Sequence, residues 1–245
     1  LLCLPPAQGE GMTNAEKTQL LGFTPDELGA YFKTMGQPAF RAKQVFSWLH
    51  QGVPFEKMSN LPKALREQMD ESCIANPVTV LETIESKLDG TIKLLYRLTD
   101  GNVIEGVLMR YKYGNTLCLS TQVGCRMGCA FCASTLDGCA RNLTPAEMLG
   151  QIVCANGVLA PQGQKVGNIV LMGSGEPLDN YDNVVKFLRI LRMEGGLCNG
   201  KHAALFVKPR RVFILLALSA DIGAHCCRHA AHSLSFYSAV VSSVS

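Results

Sequence analysis

The chain has 245 residues, 47% of them apolar, enough to bury one good-sized core or two modest ones. A formal net charge of +3 with only 18% charged residues excludes a strong whole-chain field of either sign, although it permits an RNA partner. The longest apolar run, Val212 to Ala220, is far too short to span a bilayer, so no membrane partner is expected.

The first methionine is Met12, and "LLCLPPAQGEG" before it lacks the basic start and long apolar stretch of a secretory signal. Residues 1–12 are therefore read as a non-native leader. With no such signal, 11 cysteines, an odd number, point to a reduced, cytoplasmic compartment where clustered thiols serve metal or catalysis.

Residues 13–78 read as a small helical N-terminal domain. "TPDELGAYFKTMG" offers Thr24 as N-cap, Pro25 at the first helical position and Glu27 three residues after the cap. "PAFRAKQVFSWLHQG" carries an apolar stripe through Phe40, Val45, Phe46, Trp48 and Leu49 and closes on Gly52. "LPKALREQM" predicts a third, short helix. Arg41, Lys43, Lys63 and Arg66 are candidate phosphate contacts for RNA, against the plain alternative of a solvated helix face.

The apolar period then shortens to two. "TVLETIESKLDGTIKLLYRLTDGNVIEGVLMRY" predicts strands joined by turns at Asp89-Gly90 and Asp100-Gly101. "NTLCLSTQ" predicts a further strand, with Thr116, Cys118 and Ser120 on one face and Leu117 and Leu119 on the other. A helix over "TPAEMLGQIVCANGVLA", a buried strand over "VGNIVLM" and a helix over "NYDNVVKFLRILRME" follow. Strand, helix, strand, helix predicts parallel βαβ units, and residues 79–195 read as an α/β barrel or doubly wound sheet in which two βα units are clear. From residue 196 to 245 the pattern loses both helical and strand period, an atypical tail.

Between the "NTLCLSTQ" strand and the first long helix lies "GCRMGCAFC", with Cys125, Cys129 and Cys132 spaced C-x3-C-x2-C. Zinc normally takes four ligands, commonly as two close pairs, and Cys139 is an ill-spaced fourth. Three thiolates from one loop suit a [4Fe–4S] cluster that keeps one iron open. A second motif, "GSGEP" from Gly173 to Pro177, is a backbone-exposing turn at the carboxyl end of a strand, where ligands bind in such folds.

"PAFRAKQVFSWLHQGVPFEKMSNLPKALRE", "NVIEGVLMR", "NTLCLSTQVGCRMGCAFCAST" and "IVLMGSGEPLDNYDNV" together resemble the RlmN/Cfr family of radical S-adenosylmethionine (SAM) RNA methyltransferases, from about residue 20 to 195. The helical N-terminal stretch is more similar to the RlmN branch. The resemblance implies a partial (β/α) radical SAM barrel preceded by a small helical domain and a β-hairpin. It implies that Cys125, Cys129 and Cys132 hold a [4Fe–4S] cluster, that Gly173, Gly175, Glu176 and Pro177 meet the amino end of SAM, and that Phe131 packs near its adenine. It further implies Glu105 as proton acceptor and Cys118 as the residue that helps resolve a protein–RNA adduct. A small buried thiol and a solvated carboxylate are the bland readings of that pair. The activity implied is methylation of adenine C2 in 23S rRNA and tRNA by a monomer, with one SAM as methyl donor, another as radical source, and an electron donor such as flavodoxin.

In that family a cysteine near the C-terminus carries the methyl group. "DIGAHCC", Asp221 to Cys227, only faintly echoes its setting, and Cys226 is not assigned the role. The later barrel strands are not recognisable after residue 196, so the expectation is a chain short of methyl transfer. A Cfr-like adenine-C8 enzyme and an inactive metal-cluster or RNA-binding fragment remain the alternatives.

Overall fold

The computed structural model describes residues 17–112, 114–130 and 132–197, and the backbone of 204–207. The leader at 1–12, Phe131, and the tail beyond 197 apart from 204–207 lie outside them.

The short strand β1 (Thr18–Gln19) is followed by three helices, α1 (Pro25–Thr34), α2 (Arg41–His50) and α3 (Lys63–Ser72). β2 (Cys73–Ile74) closes this region by pairing in parallel with β1, a contact too short to leave a sequence period. A three-stranded antiparallel meander follows, β3 (Val78–Glu85), β4 (Ile92–Leu98) and β5 (Val103–Tyr111). β6 (Gly114–Cys118) joins β5 antiparallel, and a small antiparallel pair, β7 (Gln122–Gly124) and β8 (Cys139–Asn142), brackets the cysteine loop. The remainder is α4 (Pro145–Leu159), β9 (Val166–Leu171), α5 (Tyr181–Arg192) and β10 (Ala204–Val207). The main sheet runs β10-β9-β6-β5-β4-β3, with β6, β9 and β10 parallel. Two βα units are thus present, as expected, and a third parallel strand follows them. β10 lies in the stretch after residue 196, where the sequence shows no strand period. Four residues are too few to show a period, and it is the edge of β9 that supplies their partners.

The helix starts follow from sequence. "TPDE" and "TPAE" each build a capping box: Thr24 and Thr144 accept from the backbone N–H of Glu27 and Glu147 at 3.2 Å. Both glutamates accept in return from the threonine N–H at 2.8 Å. Each box satisfies N–H groups that the first helical turn would otherwise orphan.

Alternation along β4 and β5 splits the sheet into two faces. Leu94, Tyr96, Ile104, Leu108, Leu117 and Ile169 are buried on the face covered by α4, where the Tyr96 hydroxyl donates to the Gln151 carbonyl at 3.2 Å. Lys93, Glu105, Val107, Thr116 and Cys118 share the other face by register. The N-terminal helices pack onto the same core: Leu20, Leu28, Phe32 and Phe46 belong to one apolar cluster with Leu149, Phe187 and Leu191. Among the described residues, no helix is long and apolar enough to cross a membrane.

At the end of α2, His50 is buried, its ring 4.1 Å from that of Phe46 and its Nδ1 2.9 Å from the Phe46 carbonyl, with Nε2 unpartnered. Burial pulls its pKa down to about 4, against a weaker upward pull from the Phe46 carbonyl. Since the folded value lies below the unfolded one, neutral His50 contributes its full stability above pH 6.5 and loses it as pH falls toward 4. The loss over that window is about 3 kcal/mol. His50→Leu is expected to flatten the pH dependence of the urea unfolding free energy between pH 6.5 and 4 relative to wild type; parallel curves would contradict this.

Candidate functional site

β6 and β9 are parallel neighbours, with Cys118 opposite Val170, so the segments leaving their carboxyl ends emerge side by side. Two backbone bonds extend the pairing past both strands, Leu119 N–H to the Val170 carbonyl at 3.0 Å and Gly173 N–H to the Leu119 carbonyl at 3.1 Å. The cysteine loop follows the first strand and the Gly173–Pro177 turn follows the second.

The turn is fitted closely to the chain beneath it. The Ser174 carbonyl accepts from Thr121 and Gln122 N–H at 2.9 and 3.2 Å, and Ser174 N–H donates to Ser120 Oγ at 2.9 Å. Gly175 has φ +105°, and a Cβ there would stand 2.7 Å from Gln122 Cβ. At Gly173 a Cβ would meet the Leu119 carbonyl oxygen at 2.7 Å. Only glycine permits both the backbone shape and the approach. Glu176 caps the single turn of 3-10 helix after it, its Oε1 accepting from Leu178 N–H at 3.2 Å, and Pro177 is buried.

Under the turn lies a polar network that sequence reasoning missed. Gln122 is fully buried; its Oε1 accepts from Glu176 N–H at 2.9 Å, and its Nε2 donates to Asn142 Oδ1 at 2.7 Å and Asp179 Oδ2 at 2.8 Å. Asp179 also accepts from Arg126 Nε at 2.8 Å, which ties it to the cysteine loop. Buried Asn180 donates to the Thr121 and Leu143 carbonyls at 2.8 and 2.9 Å. A run of polar residues, Ser120-Thr121-Gln122, just where a strand should stay apolar was the only signal in the sequence.

In the loop itself, Cys125 is buried and Cys129 and Cys132 are partly exposed, all three as free thiols. Cys125 N–H donates to the Gly138 carbonyl at 2.8 Å, and Cys132 N–H to the Cys129 carbonyl at 3.1 Å. Ser134 Oγ stands 3.1 Å from Ser174 Oγ, a direct contact between the loop and the turn. Cys139, in β8, sits opposite Gly124 and so close to Cys125. Among the described residues no three His, Cys, Asp or Glu side chains converge as they would on a single metal ion. The donor chemistry, three free thiols on one loop, fits a thiolate-held iron–sulfur cluster, and the loop would have to close on it.

Cys118 and Glu105 are diagonal neighbours on one face of β6 and β5. Burial pushes the Cys118 thiol up to about 11, the Met172 backbone pulling the other way, so it is protonated at neutral pH. Glu105 is half exposed, with Oε1 2.8 Å from Lys93 Nζ. The structure therefore places the pair together beside the end of β6 but gives the carboxylate an ion-pair partner that the strand pattern did not reveal. On the far side of the loop, Arg141 holds buried Glu147 through two bonds of 2.9 and 2.7 Å and Asp100 through one of 2.7 Å. Burial would raise the Asp100 pKa, but these donors, with Asn102, bring it down to about 2.

Residues 18–75 match the family described as "Ribosomal RNA large subunit methyltransferase N-terminal domain". The "Probable dual-specificity RNA methyltransferase RlmN" of Clostridium perfringens is 50% identical over 185 residues, which cover 75% of this chain and 52% of that protein. Over these residues the chain is similar to RlmN proteins. A relative of the same description from Alkaliphilus oremlandii is 48% identical over 192 residues, 78% of this chain and 55% of that one. Among solved structures, a radical SAM methyltransferase from Sphaerobacter thermophilus superposes with a TM-score of 0.70 at 40% identity, covering 74% of this chain and 53% of that one. The chain therefore spans about half the length of the RlmN proteins it matches, the half that contains the cysteine loop and the glycine turn.

Gly175→Ala is expected to lower the urea unfolding free energy by ~2 kcal/mol or more, from the positive φ and the contact with Gln122 together. An unchanged midpoint and slope would contradict the fit of the turn.

Proposed function

We propose that this chain is the SAM-cleaving part of an RNA methyltransferase that acts on adenine C2 in 23S rRNA and tRNA. The observation that carries the reading is the adjacency of a three-cysteine loop and a glycine turn at the carboxyl ends of two neighbouring parallel strands. That is where an α/β sheet presents ligands. The overlap with RlmN relatives over the same residues supports the RNA substrate.

In this reading Cys125, Cys129 and Cys132 hold a [4Fe–4S] cluster, which when bound supplies one electron to SAM. The turn from Gly173 to Pro177 offers backbone groups and the Glu176 carboxylate to the amino end of SAM. Phe131 is assigned to the adenine of SAM by resemblance alone, since it lies outside the described residues. Cys118, protonated at rest, has a proton to give before it can take one. Glu105 is therefore the group of the pair able to accept the C2 proton directly, with Lys93 holding its carboxylate. The electron comes from a donor such as flavodoxin, and the chain works as a cytoplasmic monomer. Transfer of a methyl group to RNA further requires a methyl-carrying cysteine, a role assigned to no residue of this chain; the stretch from Asp221 to Cys227 lies outside the described residues.

Iron-reconstituted, chemically reduced protein is expected to convert SAM to 5′-deoxyadenosine, measured by liquid chromatography, and Cys129→Ala to lose both the iron and the product. Wild-type protein that holds iron and makes no 5′-deoxyadenosine would contradict the proposal. With RNA and the methyl-carrying cysteine present, the modified base is expected to be 2-methyladenine; 8-methyladenine would assign the chain to the Cfr branch.

A further inference from the structure

We infer that Gln122 is a positioning residue for SAM: it sets the height and tilt of the glycine turn against the cysteine loop, through Asp179. The inference rests on the proposed reading of the turn as the SAM site and adds a residue that neither motif contains.

Each atom of the Gln122 side chain has a task. Its Cβ and Cγ form the floor on which Gly175 lies, where a Cβ at Gly175 would come within 2.7 and 2.8 Å of them. Its Oε1 takes the N–H of Glu176, the residue whose carboxylate faces the ligand in the proposed reading. Its Nε2 is divided between Asn142 on β8 and Asp179 just past the turn. The Asp179 carboxylate oxygen that accepts from Gln122 also accepts from Arg126, which stands in sequence between Cys125 and Cys129. One buried amide thus joins the turn, both strands that bracket the loop, and, through one carboxylate, the loop itself.

A buried amide must be satisfied, because an unpaired donor or acceptor of this kind is expensive. The orientation of this amide is fixed by its partners: Glu176 N–H can only donate, so Oε1 faces it, and the Asp179 carboxylate can only accept, so Nε2 faces that. Gln122→Glu keeps the acceptor for Glu176 but sets a second carboxylate against Asp179. Asp179→Asn in the same chain restores a donor–acceptor pair with the direction reversed, and gives up the bond from Arg126, which ends on the same oxygen of Asp179.

The test measures SAM binding to the iron-reconstituted full chain by equilibrium dialysis, and amide hydrogen exchange across Gly173–Pro177 in the iron-free full chain. Gln122→Glu is expected to weaken SAM binding about tenfold or more, as the loss of one buried hydrogen bond to a charged partner would. It is also expected to speed exchange at Glu176 while the iron content stays at the wild-type level. Gln122→Glu with Asp179→Asn is expected to return exchange at Glu176 to within about threefold of wild type and to recover SAM binding in part, a coupling that independent sites do not show. If Gln122→Glu binds SAM as wild type does, or if the double variant holds iron but is no better than the single, the inference is overturned while the site reading stands. If the wild type holds iron and does not bind SAM, the reading of the turn fails, and the role of Gln122 with it.

Discussion

The parallel pairing of β6 with β9 is the constraint on which the rest depends. Cys125 and Gly175 are far apart in sequence, and each motif alone is a short loop of no fixed purpose. The register that sets Cys118 opposite Val170 brings both loops out at the same end of the sheet. α4 makes the crossover between the two strands, and its capping box and the salt bridge from Arg141 to Glu147 fix where that crossover begins. The apolar face under α4, from Leu94 to Ile169, then holds the strands in that register, because a slip by one residue would turn the whole apolar set away from the helix.

Polar groups complete what apolar packing starts. The core accounts for the layers, but the spacing between loop and turn is set by a few satisfied amides and carboxylates, with Gln122, Asn180 and Asp179 at the centre. Such networks are costly when any member lacks a partner, and fully paired they favour a single arrangement. Cys118 and Glu105, proposed above to meet the RNA base, stand on the opposite face of the sheet from α4, next to the same strand ends. Their environments differ: burial keeps the thiol protonated, and Lys93 holds the carboxylate in an ion pair.

Much of this was legible in the sequence because its signals are local. The two Thr-Pro-x-Glu starts, the Asp-Gly turns after β3 and β4, and the C-x3-C-x2-C spacing each depend on residues within a few positions of one another, so chain order alone reveals them. Long-range pairings were not legible. β7 and β8 are three and four residues long and meet across the cysteine loop, and β10 has no period of its own. The partners of Gln122 come from two separate segments, Asn142 on β8 and Glu176 with Asp179 after β9. Lys93 reaches Glu105 only through the antiparallel register of β4 and β5. Resemblance found the residues of the two motifs, whereas the side chains that hold those motifs in place appeared only once the strands were paired.

The central claim is that the cysteine loop and the glycine turn form one site, which holds a cluster and SAM in contact. The most direct measurement is the electron paramagnetic resonance spectrum of the reduced, iron-reconstituted full chain, recorded with and without SAM. The account predicts that SAM changes the cluster signal, because its binding turn lies against the loop that carries the iron. A cluster signal unaltered at saturating SAM would contradict it.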